Sequence, residues 1–453
     1  MHTRSITMLL AAGLVSLGSA AARAQLSLSS AVDLALRNDP RVRVAQSDVN
    51  KAQAVLSEAR DVFLPTAAAS GGYGTSRGVP LGLPVTISVE SHMLVYSPSQ
   101  MDYIRASKKG IQSAQDSLLE ARNATIEDTV STYVSLDNAL RRRNALGEES
   151  IVAQRLVMIS EQRRNAGLDA LIDFKKNQRT AVGLHLQVML VDDEIDALAD
   201  HLKNLTGVPL ADPTTDSASI PSFPRAQEYS GTTTESPGVT AAFLQAAAKA
   251  DTARADKHYL WLPQVMLSAG FSRITINDTE SNYGTYYPDF YAAAQHLSLN
   301  SYSIGFQGTI PLIDYLHRAK AREAAADAAH AFAEAQVQKA QWLEGRHKLR
   351  HTTAELELRS QLADIDRDLA EQQLEAVKVQ LTSAAGNLEG TQLSPEDEAK
   401  AELDIDSKRI DALNAELQLR QTELQLMQQD QTLAAWLGRA VSERATSSPV
   451  TER

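Results

Sequence analysis

The densest acidic chemistry in this chain stands beside two glycine-containing breaks in otherwise helical sequence. Glu396, Asp397 and Glu398 follow Gly390, Leu393, Ser394 and Pro395, while Asp169 and Asp173 follow Gly167 and Leu168. Carboxylates so placed can act in two ways. In the first turn of a helix, behind a serine N-cap and a proline at the first helical position, they offset the positive end of the helix dipole. Crowded against one another, they repel, raise some of their own pKa values and draw multivalent cations. Two further charge runs read as surface: Asp192, Asp193, Glu194 and Asp196 as a solvated helical face, and Arg141, Arg142 and Arg143 as exposed charge or a contact between copies. Catalytic constellations are missing, with no His-Glu-x-x-His, no phosphate-cradling glycine loop, no Gly-x-Ser-x-Gly and ten scattered histidines. The sequence therefore points away from an enzyme and offers no catalytic, cofactor-binding or metal-ligating residue. The absence of cysteine excludes disulfides, thiolate metal sites and a lipidated N-terminal cysteine.

The elements that must position these acids can be read from proline placement. No proline falls between Pro98 and Pro209, between Pro311 and Pro395, or between Pro395 and Pro449, and these stretches are rich in Ala, Leu, Gln, Glu, Arg and Lys. Strong helix formers without a breaker predict very long helices. Leu403, Ile410, Leu417 and Leu424 recur every seven residues, with Leu413 and Met427 beside them, which is coiled-coil spacing. Alanines 324, 325, 326, 328 and 329 would let a neighbouring helix approach closely.

The proline-containing remainder has a period of two. Val85, Ile87, Val89, Met93 and Val95 alternate with polar residues, as do Val265, Leu267, Ala269 and Phe271, and Tyr302, Ile304, Phe306 and Ile310. Each predicts a strand with one apolar and one wet face. A weaker fourth strand covers Thr66 to Thr75.

Residues 1–24 read as a secretory signal, with Arg4, an apolar stretch from Met8 to Leu17, and Ala22-Arg23-Ala24 before Gln25. The net charge of −12 becomes −14 without Arg4 and Arg23. An exported acidic chain is a poor nucleic-acid ligand.

The elements occur twice. Asp39-Pro40-Arg41-Val42 opens a helix ending at Leu64-Pro65, and Ser236-Pro237-Gly238-Val239 opens one ending at Leu262-Pro263. Arg105-Ala106 is echoed by Arg318-Ala319, and Leu205-Thr206-Gly207 by Leu437-Gly438. The expected organisation is a signal over 1–24, a first repeat over 25–235, a second over 236–440 and a disordered tail over 441–453. The second hairpin loop is the longer and carries Tyr283, Tyr286, Tyr287 and Tyr291. Four strands cannot close a barrel, and an open edge in hydrocarbon leaves backbone groups unpaired, so at least two chains must share one.

In this order the motifs resemble the outer membrane efflux protein family, the TolC-like channel-tunnels. Ala35-Leu36-Arg37-Asn38-Asp39-Pro40 through Leu64-Pro65 is similar to the family's first helix and strand. Ile310-Pro311-Leu312-Ile313-Asp314 resembles its strand-to-helix junction, and Arg164-Asn165-Ala166-Gly167 through Asp173-Phe174 its periplasmic helical turn. The first junction, Tyr96-Ser97-Pro98-Ser99-Gln100, departs from the family's apolar-Phe-Asp pattern. The resemblance implies a mostly α fold with a β membrane portion: tandem long-helix coiled coils, and four strands per chain in a shared 12-stranded trimeric β-barrel. It implies a homotrimer in outer-membrane lipid, a helical body in the periplasm, and docking with a periplasmic adaptor and an inner-membrane transporter for efflux or type I secretion. Three copies would bring Glu396, Asp397 and Glu398 into a ring, a candidate gate, with Asp169 and Asp173 as a second choice and Gly167, Leu168, Gly390 and Leu393 as candidate adaptor-docking tips. Against this stands a periplasmic coiled-coil adaptor or structural protein without a channel, which would not need two equivalent hairpins.

Overall fold

The structure, a computed structural model, describes residues 26–74, 83–208, 214–223, 235–277, 300–384 and 395–438. The signal, the C-terminal tail, the tyrosine-rich loop, and Gly390 and Leu393 lie outside the described residues. In chain order the elements are α1 (Leu28–Asn38), α2 (Pro40–Asp61), β1 (Thr66–Tyr73), β2 (Leu83–Tyr96), α3 (Pro98–Asn165), α4 (Leu171–Thr206), α5 (Pro237–Trp261), β3 (Gln264–Asn277), β4 (Asn300–Thr309), α6 (Tyr315–Ala384) and α7 (Pro395–Gln429). Corresponding elements have matched lengths: α3 and α6 have 68 and 70 residues, and α4 and α7 have 36 and 35. At ~1.5 Å per residue α3 and α6 are each about 100 Å long.

Two compact units each draw on stretches that are distant in sequence. Among the described residues, a helical unit takes 26–40, 122–208, 214–223, 346–384 and 395–438, and a sheet-bearing unit takes 41–74, 83–121, 235–277 and 300–345.

In the sheet-bearing unit all four strands are antiparallel, in the order β1-β2-β3-β4. Opposed residues share a face, so the register sorts the side chains. Ala69, Val89, Phe271 and Tyr302 form one row, and Met93, Leu267 and Phe306 continue that apolar face. Across the other face Ser70, Ser88, Ser272 and Ser301 form a hydroxyl row spanning every strand, with the Ser70 and Ser88 Oγ atoms 2.7 Å apart. Both outer strands are exposed along their whole length. The two strand-to-helix junctions are capped by different side chains, Ser97 Oγ accepting from the Gln100 amide at 3.2 Å and Asp314 Oδ1 from the His317 amide at 3.0 Å. Ser236 caps α5 by accepting from the Gly238 amide, with proline at the first position.

In the helical unit, α1, α3, α4 and α7 enclose one apolar core around Leu28, Val130, Tyr133, Leu202, Leu424 and Met427. The heptad residues Leu403, Ile410 and Leu417 pack against it. The helix that the sequence opens at Asp39-Pro40 is α2, and a separate short helix, α1, precedes it. The two are parted at Asp39, whose ψ of 123° is non-helical, because the Pro40 ring disfavours the helical conformation at the preceding residue. The Asp39 carboxylate then accepts from Thr125 Oγ1 at 2.8 Å. At the end of α4 the chain reverses through Gly207, whose φ is 73° and where a Cβ would stand 3.2 Å from Asn38 Nδ2. Among the described residues no helix is long and apolar enough to cross a membrane.

Tyr133 fastens the strap after α4 to this core. Its side chain is fully buried, its hydroxyl donates to the Leu26 carbonyl at 2.6 Å, and it accepts from the Asp216 amide at 2.9 Å. Tyr133→Phe keeps the ring and leaves both backbone groups without this partner. The expected loss is about 1 to 3 kcal/mol, read as a lower thermal midpoint of the detergent-purified protein with unchanged helicity.

Candidate gate at the helical turn

The first turn is a left-handed helix end. Gly167 has a φ of 70°, its amide donates to the Arg164 carbonyl at 2.9 Å, and the Leu168 amide reaches back to Arg163 at 2.9 Å. This reversal sets Asp169 beneath the last turn of α3. There the guanidinium of Arg163 grips it with two donors, Nε to Oδ2 at 2.8 Å and Nη2 to Oδ1 at 3.0 Å. The same Nε lies 3.1 Å from Glu396 Oε2, at the start of α7. Lys400, one turn further along α7, holds the other Glu396 oxygen at 2.7 Å.

One cation thus joins the α3–α4 turn to the beginning of α7 within a single helical unit. Both acids are largely withdrawn from solvent, with side chains 11 % and 9 % exposed for Asp169 and Glu396. The hydrogen bonds from Arg163, and secondarily its charge, hold the Asp169 carboxyl below the usual carboxylate range. Reciprocally, Asp169 raises Arg163 above the ordinary guanidinium value, and the charges of Glu396 and Asp397 add to this.

Of the five acids marked by the sequence, the structure brings Asp169 and Glu396 together. Asp397 and Glu398 are half-buried in the first turn of α7, and Asp397 lies within electrostatic reach of Arg163. Asp173 stands apart, 3.1 Å from Lys176. Leu168 is 69 % exposed, and Leu171 and Ile172 beside it are exposed as well. Phe174 is buried beneath the Arg164 guanidinium, 4.4 Å from its centroid.

Arg163 is the residue that sequence reasoning missed. It lies on the heptad series Ser135, Arg142, Glu149, Leu156, Arg163, which meets α7 at several points and could have marked it. The two charge runs read separately as surface turn out to pair. Arg143 meets Asp192 at 3.0 Å, and Arg142 reaches both Glu194 and, at 3.0 Å, Asn414 on α7. Among the described residues no group of three or more histidine or acidic side chains is placed to hold a metal.

The sequence matches no family model and shows no significant similarity to a curated protein. Its fold, however, is that of solved outer-membrane channels. The outer membrane channel CmeC of Campylobacter jejuni is similar with a TM-score of 0.70 at 16 % identity, over 94 % of this chain and 90 % of that one. The outer membrane protein VceC of Vibrio cholerae gives 0.68 at 17 %, over 91 % and 96 %. The open state of the MtrE outer membrane channel of Neisseria gonorrhoeae gives 0.63 at 14 %, over 90 % and 89 %. The chain has the TolC-like fold of these channels, with four antiparallel strands per chain and long paired helices.

Proposed function

We propose that this chain is an outer-membrane channel-tunnel, a passive export conduit that works with a periplasmic adaptor and an inner-membrane transporter in tripartite efflux or type I secretion. The observation that carries the reading is the four-stranded sheet whose two edge strands, β1 and β4, are open and exposed throughout. Three copies would pair β4 of one with β1 of the next and close twelve strands, which removes every edge from hydrocarbon. The sorted faces fit that role, with aromatic and aliphatic rows toward lipid and the serine row toward a water-filled lumen.

The helical unit supports the same assembly. α4 exposes Val182, Leu186, Met189 and Leu190, and α6 exposes Leu358, Leu362, Ile365 and Leu369 at coiled-coil spacing. Neither stripe is covered within one chain, and a neighbouring copy would cover both.

In this reading Gly167, Leu168, Gly390 and Leu393 form the adaptor-docking tips, and Arg163 with Asp169 and Glu396 latches the gate, leaving Asp397 and Glu398 to face the passage. The signal is removed after Ala24. Fractionation of the producing cells tests the whole: the protein should begin at Gln25, sediment with the outer membrane, and migrate as a trimer before boiling and as a monomer after it. A soluble periplasmic monomer would overturn the channel in favour of the adaptor reading.

A further inference from the structure

Above the turn, α3 and α7 run antiparallel along a seam of polar contacts. Arg155 pairs with Glu402, Glu148 with Arg409 at 3.0 Å, and Ser135 accepts from Gln421 at 3.1 Å. Glu149 sits inside this seam and is only 7 % exposed. Among the described residues no cation or hydrogen-bond donor reaches its carboxylate. From α7, the half-buried Asp406 and the exposed Asp411 lie within electrostatic reach of it. The nearby cations are already engaged: Lys408 lies 4.0 Å from Asp411, and Arg409 binds Glu148. On the α4 side Glu194 and Asp192 are taken by Arg142 and Arg143.

We infer that Glu149 makes the α3–α7 seam a pH-responsive joint, which closes when the carboxyl is protonated and loosens when it ionises against Asp406 and Asp411. Burial first, and then those two acids, pushes Glu149 up to about 7. Asp406 is raised as well, chiefly by burial, with Glu148 and Glu402 adding and Arg409 opposing. An acid raised in the closed state favours that state below its ordinary range, and the advantage is lost as pH rises through the raised value. The window is therefore mildly acidic to neutral, within reach of a compartment that follows external pH. Only this siting of the switch rests on the channel reading, because the joint itself can be measured without transport.

Hydrogen exchange on the purified full-length protein, corrected for the intrinsic pH dependence of amide exchange, reads the opening of residues 145–153 and 402–411. Between pH 5.5 and 8 the wild type should open more by about tenfold or more. Glu149→Gln should stay protected at both values, with less than about a twofold change. Asp406→Asn should move the transition to lower pH, since one repelling acid is gone, and it serves as an independent reading if Glu149→Gln fails to assemble. A flat wild-type profile, a Glu149→Gln profile like the wild type, or an unmoved transition in Asp406→Asn overturns the inference. None of these outcomes bears on whether the protein forms a channel.

Discussion

Paired cysteines at Ala69 on β1 and at Tyr302, Ile304 or Phe306 on β4, introduced one pair at a time, are expected to link copies of the chain in at least one register. These positions lie on the same face of the sheet, because Ala69 is connected to Tyr302 through Val89 and Phe271. Within one chain the bond cannot form. β1 and β4 are separated by β2 and β3, which places them about 14 Å apart, whereas a disulfide needs Cα atoms within about 7 Å. Any bridge must therefore join two copies across the barrel seam. The chain has no native cysteine, so the background is clean. Oxidation should yield covalent dimer and trimer that collapse to monomer on reduction, and Ala69→Cys alone should yield neither. Persistent monomer in all three pairs would mean that the edges do not meet, and the twelve-stranded barrel would fall with them.

What could be read in advance divides along physical lines. The apolar alternation of Val85 to Val95 and Tyr302 to Ile310 placed strands where the structure has them, because a half-buried strand writes its period into adjacent residues. β1 left a weaker trace, since its Ala, Ser and Gly residues carry little side-chain contrast. The long helices were legible from missing prolines. The start of α2 was legible as well, because Pro40 disfavours the helical conformation at Asp39 and suits a first helical position. Pairings between elements were the least visible. Arg142 finds Glu194 and Asn414 on two different helices, and the isolation of Glu149 follows from what α7 happens to place opposite it. A linear pattern records which side of a helix is apolar, but not which charge on another helix will meet it.

Arg163 is the sharpest instance, and if the proposed gate lies at this turn, removing Arg163 should open it. Its guanidinium binds Asp169 through two hydrogen bonds and approaches Glu396, so Arg163→Ala would leave two crowded carboxylates with only Lys400 beside them. Repulsion would then replace attraction at the point where the α3–α4 turn meets α7, three times over in a trimer. Single-channel conductance in planar bilayers should rise several-fold, with the trimer intact before boiling. Arg163→Lys should fall between, because an ammonium cannot reproduce the two-pronged grip. The pH dependence separates this latch from the seam above it. Asp169 is held below the usual carboxylate range, so its contribution is present above that range and is lost only as pH falls through the lowered value. Conductance controlled by the latch should therefore stay constant from neutral to mildly acidic pH. Asp397→Ala with Glu398→Ala probes a different property: if those acids line the passage, cation selectivity and block by multivalent cations weaken, and if they only begin α7 neither changes. Wild-type conductance in an assembled Arg163→Ala trimer would remove the latch, and the gate would then have to be sought in Asp397 and Glu398.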